Sequence, residues 1–239
     1  MVPDFIITGA MKSGTTSLYT ILRQHPDVYM PDLEVGYFDV DDIRQHPDFF
    51  KRHDGRWNYH RYRSSEERLH AWYEELFEQA ASGQVVGERS TTYMPSSVAP
   101  ERISAANPGA RLLFMMRDPV PRAYSNYWHL LRSGEATASF EKTLRYRPAV
   151  LFERGLYREH IERYLRHFDR GQMLFIVFEE YLDDPGKVMD EVCRFIGVDP
   201  EGLPERAEDR HENRGRYPWL KAAQYGCNLV LFHGLLDGH

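Results

Sequence analysis

The stretch Phe5-Ile6-Ile7-Thr8-Gly9-Ala10-Met11-Lys12-Ser13-Gly14-Thr15-Thr16-Ser17, followed by Leu18, Ile21 and Leu22, decides how the rest of the chain is read. A short β-prone apolar run leads into a polar loop with two glycines, and apolar residues then recur at helical spacing. The order is strand, loop, helix. Such a loop offers consecutive backbone N–H groups, a lysine charge and hydroxyl donors to an anion at the helix N-terminus. By itself it is also compatible with a glycine-containing turn and a hydroxyl-rich cap; the preceding strand favours a phosphate site. The loop departs from the pattern G-x-x-x-x-G-K-[ST], in which the lysine follows the last glycine, because Lys12 precedes Gly14. A lysine behind the glycine serves the β- and γ-phosphates and Mg²⁺ of a nucleoside triphosphate. Ahead of it, the lysine can reach a bridging oxygen between a 5′-phosphate and a group being transferred.

Working outward, further strands are expected at 84–87, 111–116 and 173–178. The run Leu112-Leu113-Phe114-Met115-Met116 is apolar throughout, as in a buried parallel strand. Helical patterns fall between the strands at 67–81, 98–106, 121–131, 156–168 and 185–196. Asp184-Pro185 supplies a cap and a first-turn proline for the last helix, and Gly197 suits its C-terminal end. Strands alternating with helices indicate an α/β domain with a parallel sheet. The stretch 39–63 is rich in aromatic and charged residues without periodicity and is expected to be a long loop excursion, a kind of segment that is often functional.

The 239 residues are enough for one substantial core, so a single domain over 1–239 is expected. With 42% hydrophobic and 28% charged residues, the chain has the composition of a globular protein. The formal charge of −6 argues against non-specific nucleic-acid binding. Cys193 and Cys227 make no disulfide framework, no Cys or His pair has zinc-ligand spacing, and no metal site is expected. No run approaches the roughly 20 apolar residues needed to span a bilayer, and the first apolar run is too short for a signal peptide. A cytoplasmic location is therefore expected unless an anchor precedes the sequence. Oligomeric state is not legible.

Lys12-Ser13-Gly14-Thr15-Thr16-Ser17, followed by Leu22-Arg23-Gln24-His25-Pro26, resembles the 5′-phosphosulfate loop of sulfotransferases that use 3′-phosphoadenosine 5′-phosphosulfate (PAPS). Arg117-Asp118-Pro119-Val120-Pro121-Arg122-Ala123-Tyr124-Ser125 is similar to the same family's 3′-phosphate motif, in which a strand-end arginine and a serine of the next helix clamp the phosphate. Taken alone, Arg117 reads equally as an ion-pair partner of Asp118 or another carboxylate, although its planar fork suits phosphate. The resemblance runs from Phe5 to about Pro218 and is greatest to the branch containing heparan sulfate sulfotransferases and bacterial relatives. It implies a P-loop-containing three-layer α/β fold, with a central parallel sheet of about five strands flanked by helices. It also implies PAPS as co-substrate, adenosine 3′,5′-bisphosphate as product, and no metal. Lys12, Ser13, Gly14, Thr15, Thr16 and Ser17 would hold the 5′-phosphosulfate, and Arg117 with Ser125 the 3′-phosphate.

The same resemblance extends to the reacting groups. In that branch a glutamate precedes an aromatic pair, here Glu34-Val35-Gly36-Tyr37-Phe38, which implies Glu34 as general base. Unaided, Glu34 reads as a solvated loop residue, and Gly36 stands where relatives often carry histidine. Glu88-Arg89-Ser90-Thr91-Thr92-Tyr93 is similar to a Glu-Lys-Ser/Thr-Pro-x-Tyr segment. Arg89 replaces its lysine, so it can stabilise negative charge but cannot realistically donate a proton. Asn213-Arg214-Gly215-Arg216-Tyr217-Pro218 resembles a loop that closes over the nucleotide phosphates, which adds Arg214, Gly215 and Arg216 and makes 205–218 a closing segment. The implied reaction is sulfuryl transfer to a hydroxyl, or secondarily an amine, of a glycan or small hydroxylated metabolite. Two other readings remain. A P-loop kinase of a nucleotide or small alcohol is opposed by the lysine position, the Arg117 to Ser125 spacing and the absence of a clear metal aspartate. A catalytically inactive nucleotide-binding homologue is suggested by Gly36, Arg89 and Arg214.

Overall fold

The computed structural model describes residues 2–46, 50–53, 56–59 and 66–204. Its strands are β1 (Phe5–Gly9), β2 (Val28–Tyr29), β3 (Phe50–His53), β4 (Arg56–Tyr59), β5 (Val85–Arg89), β6 (Arg111–Met116) and β7 (Met173–Val177). Its helices are α1 (Thr15–Leu22), α2 (Glu66–Glu75), α3 (Ala99–Ala106), α4 (Pro119–Arg132), α5 (Phe140–Tyr146), α6 (Pro148–Leu151), α7 (Tyr157–Tyr164), α8 (Phe178–Asp183) and α9 (Pro185–Ile196). None of the described helices is long and apolar enough to cross a membrane. By its contacts the chain divides into two compact units, Met1–Arg117 with Tyr157–Arg210, and Asp118–Leu156 with His211–His239.

The first unit carries a five-stranded sheet in the order β2-β5-β1-β6-β7, with every pairing parallel. Alternate side chains of a strand face opposite sides of the sheet. Phe5, Ile7, Leu113, Met115 and Ile176 meet Leu18, Ile21 and Leu22 of α1 and Met189, Val192 and Ile196 of α9. Ile6, Val86, Leu112 and Phe114 meet Tyr73 and Phe77, Ala99 and Ile103 of α3, and Tyr164 of α7. Both faces are thus covered, which explains why β1 and β6 read as unbroken apolar runs rather than alternating ones. This is the expected three-layer arrangement. Its consequence for the site is that α1 leaves β1 toward one face and α3 follows β5 toward the other, so the chain switches faces at the carboxyl ends of these adjacent strands, where ligands of open α/β sheets generally bind.

The described part of the second unit packs α4, α5 and α6 around Tyr127, Leu130, Leu131 and Leu151. Arg122 is wholly buried there and its Nη2 donates to the Leu151 carbonyl at 2.5 Å. The Asp118 carboxylate caps α4 by accepting from the Val120 N–H at 2.9 Å.

Several elements differ from the sequence expectation. The fourth expected strand stops at Val177, and Phe178 opens α8. The fifth strand, β2, has two residues and exists by pairing Val28 with Val85 and Tyr29 with Val86, too short a run for periodicity to show. Within the expected loop 39–63, β3 and β4 form an antiparallel hairpin that pairs Phe50 with Tyr59 and Arg52 with Trp57. Cross-strand partners stabilise such a ribbon, and a linear window does not see them.

Candidate active site

The phosphate loop follows directly from β1. Gly14 is the N-cap of α1 at φ 89°, and the first intrahelical bond runs from the Leu18 N–H to the Gly14 carbonyl at 3.2 Å. The N–H groups of Thr15, Thr16 and Ser17 therefore lie ahead of any intrahelical acceptor, at the positive end of the helix. Ser13 is wholly buried and its Oγ has no hydrogen-bond partner among the described residues. Lys12 takes a left-handed conformation at φ 68°. The Ser17 and Tyr181 hydroxyls are hydrogen-bonded to one another at 2.8 Å, which ties the loop end to α8, while the Ser17 backbone N–H faces no intrahelical acceptor.

Arg117 arrives from the end of β6. Its Nη1 lies 3.5 Å from the Lys12 carbonyl and its guanidinium 4.8 Å from the centre of the Phe178 ring. Its Nε is buried without a hydrogen-bond partner, and Arg117 forms no ion pair among the described residues. The Tyr157 hydroxyl donates to the Arg117 carbonyl at 2.8 Å and fixes the strand end.

Glu34 reaches the same edge of the sheet by a different route. The segment after β2 runs beside the residues that follow β5: the Val35 N–H donates to the Arg89 carbonyl at 3.0 Å, the Gly36 N–H to Ser90 Oγ at 2.7 Å, and the Phe38 N–H to the Tyr93 hydroxyl at 3.0 Å. Glu34 Oε1 accepts from the Thr91 N–H at 2.7 Å and also from the Thr91 hydroxyl. One carboxylate oxygen is thereby anchored, and Oε2 makes no hydrogen bond among the described residues. Arg89 lies with its guanidinium 4.1 Å from the centre of the Tyr19 ring, and its Nε and Nη1 are buried without hydrogen-bond partners among the described residues. The Tyr19 hydroxyl donates to the Pro31 carbonyl at 2.7 Å, tying α1 to the stretch that leads to Glu34.

The structure thus brings Lys12 and Arg117 together, and separately Glu34 and Arg89, with Tyr19 of the phosphate-loop helix against Arg89. Tyr19 and Thr91, which contact Arg89 and Glu34, are residues of this candidate site that the sequence reading did not assign. Tyr19 lies four positions beyond Thr15, on the helix face that also carries the loop end, and this spacing was the available signal. Ser125 lies on α4 in the second unit, about two turns beyond the Asp118 cap. Arg214, Gly215, Arg216 and the expected closing segment 205–218 lie outside the described residues, as does Cys227. Tyr37 stacks on Tyr73 with ring centres 4.0 Å apart, and Phe38 meets Tyr93 edge-on, so these aromatics pack the wall of the site.

Behind that wall, Glu88 is fully buried and accepts from the Tyr73 hydroxyl at 2.8 Å; burial pushes its carboxyl up to about 7. Asp39, also fully buried, is raised by the same desolvation, with the hydrogen bond from His46 acting in opposition.

Buried donors are normally satisfied in folded proteins. Here Ser13 Oγ, Arg89 Nε and Nη1, and Arg117 Nε are orphaned at the carboxyl ends of β1, β5 and β6. Two arginines and a helix N-terminus with no counter-carboxylate among the described residues fit a ligand bearing several negative charges.

The profile of the sulfotransferase family matches residues 3–201. Heparan sulfate glucosamine 3-O-sulfotransferase 3B1 of Mus musculus is 34% identical over 235 residues, covering 93% of this chain and 53% of the relative. Bifunctional heparan sulfate N-deacetylase/N-sulfotransferase 4 of Mus musculus is 30% identical over 217 residues, covering 83% of this chain and 23% of the relative. The chain spans about half the length of the first relative and about a quarter of the second. The crystal structure of a sulfotransferase from Alicyclobacillus acidocaldarius superimposes with a TM-score of 0.71 at 29% identity, covering 99% of this chain and 96% of that one. A phosphate loop with its lysine ahead of the glycine, set in this sheet and matched by the profile over most of the length, means that the chain belongs to the sulfotransferase family.

Proposed function

We propose that this chain transfers a sulfuryl group from PAPS to a hydroxyl of a glycan, leaving adenosine 3′,5′-bisphosphate. The observation that carries the proposal is the set of orphaned buried donors at the strand ends, in a chain of this family. PAPS supplies the activated sulfuryl group and a phosphate leaving group. The N–H groups of Thr15, Thr16 and Ser17, with Ser13 and Gly14, hold the 5′-phosphate, and Lys12 neutralises the charge that develops on its departing oxygen. Arg117 and Ser125 take the 3′-phosphate, and Arg214, Gly215 and Arg216 close over the nucleotide. Glu34, anchored through Oε1, uses Oε2 to accept the acceptor's proton. Arg89 offsets negative charge on the transferring group without giving up a proton. The lysine, arginines and amides are the charge-neutralising set, so turnover is expected to persist in EDTA.

The acceptor class rests on relatives named as a heparan sulfate glucosamine 3-O-sulfotransferase and a heparan sulfate N-deacetylase/N-sulfotransferase. Labelled PAPS offered with heparan-type oligosaccharides and with small hydroxylated compounds, followed by mass spectrometry, tests it. Sulfated oligosaccharide is the expected product, and label only on small alcohols or amines would correct the acceptor. Lys12→Ala is expected to abolish turnover, and near-normal activity in that variant would remove the assigned role. Glu34→Gln is expected to lower kcat about 100-fold or more while binding adenosine 3′,5′-bisphosphate as before.

A further inference from the structure

His46 has no role in the chemistry derived so far, yet it sits against the segment that carries Glu34. Its Nε2 donates to Asp39 Oδ1 at 2.8 Å and lies 3.4 Å from Thr92 Oγ1. The Asp39 side chain is wholly buried and that of His46 is 12% exposed, so the pair is shielded from competing water. A Cβ at Gly36 would lie 3.5 Å from His46 Cε1 and 3.7 Å from its Nε2, so the imidazole occupies the space that a side chain at 36 would enter. Gly36 itself adopts φ 65°, a left-handed conformation that favours glycine.

These contacts connect two neighbouring turns. Thr91 anchors Glu34, and Thr92, the next residue, faces the imidazole. Gly36 lies two residues after Glu34 and donates to Ser90 Oγ at 2.7 Å, directly before that threonine pair. Asp39 closes the same short segment.

We infer that His46 is a positioning residue for Glu34: its imidazole, held by Asp39, covers Gly36 and presses the 34–39 segment onto the Ser90-Thr91-Thr92 turn, setting the direction of the free carboxylate oxygen. The inference rests on Glu34 being the base. It differs from a packing role in that His46 acts on the orientation of one carboxylate and not on nucleotide binding or on the sheet. Glutamine can place an amide N–H where His46 Nε2–H lies and donate to Asp39, whereas alanine cannot.

The test compares wild type, His46→Ala, His46→Gln and Glu34→Gln by sulfuryl transfer to a heparan-type oligosaccharide, affinity for adenosine 3′,5′-bisphosphate, and hydrogen exchange of the peptides covering 34–40 and 111–116. In His46→Ala, kcat is expected to fall about tenfold or more, since small misplacements of reacting groups are costly. The KM for PAPS and the bisphosphate affinity should stay within about twofold. Exchange should quicken at 34–40 and not at 111–116, and His46→Gln should restore both readouts. Turnover and 34–40 exchange in His46→Ala equal to wild type would overturn the inference. So would loss of protection at 111–116 as well as at 34–40, which would make His46 a general part of the fold. Full turnover in Glu34→Gln would remove the base itself, and is told apart because it appears whatever substitution is made at 46.

Discussion

A methyl group at position 14 would lie 2.7 Å from the Phe178 ring and 2.9 Å from Met115 Cε, on a backbone at φ 89°. Whether or not these side chains shift, a Cβ on this left-handed backbone is strained, and the Phe178 ring it meets lies against the Arg117 guanidinium. Gly14→Ala is therefore expected to destabilise the fold by about 1–3 kcal/mol, read from urea unfolding, and to weaken adenosine 3′,5′-bisphosphate binding measured by calorimetry. Glu88 acts in a different way. Its carboxyl titrates at about 7 in the folded protein against an ordinary value of 4.5, because burial opposes its charge. Between those values the folded state binds more protons than the unfolded one, so the stability present below about 4.5 is lost as pH rises through about 7. Asp39, raised for the same reason, adds to the trend. The thermal midpoint of the wild type is expected to fall between pH 5 and pH 8, and Glu88→Gln to flatten that fall. An unchanged slope in the variant would assign the pH dependence elsewhere.

Among the elements, α9 is legible in the sequence itself. Asp184 accepts from the Lys187 N–H at 3.0 Å, Pro185 occupies the first turn, and Gly197 ends the helix at φ 93°. Each is a local effect of one or two residues on their own backbone, and local effects survive in a linear string. Asp184→Ala is expected to cost about 1 kcal/mol of stability by urea unfolding, with turnover unchanged because the cap lies outside the site residues. In contrast, β2 and the β3–β4 hairpin were invisible in advance, since their strands are defined by partners: Val28 by Val85, and Phe50 by Tyr59. The helices α5 and α6 were missed because seven and four residues are too few to establish a period.

For the molecule as a whole, a ligand that binds only the folded state raises its stability by mass action. Adenosine 3′,5′-bisphosphate at 100 times its Kd is expected to add about 2.7 kcal/mol, seen as a raised thermal midpoint, while ATP with Mg²⁺ leaves the midpoint unmoved. The reverse result would favour a kinase. The same bisphosphate is expected to slow proteolysis within 205–218, and equal cutting with and without it would remove the closing role from that segment. What the sequence by itself determined was the layered α/β plan, the phosphate loop with its displaced lysine, and Arg117 at the end of a buried strand. These follow from periodicity, capping and spacing, which are short-range. Only the tertiary structure decided that Glu34 accepts two hydrogen bonds from Thr91, 57 positions away, and that Arg89 rests on the Tyr19 ring. It also put His46 over Gly36, and joined the Ser17 hydroxyl to that of Tyr181, 164 positions away. Such pairings depend on which strand ends become neighbours in the sheet, and that order is set by packing both of its faces at once rather than by any local run of residues.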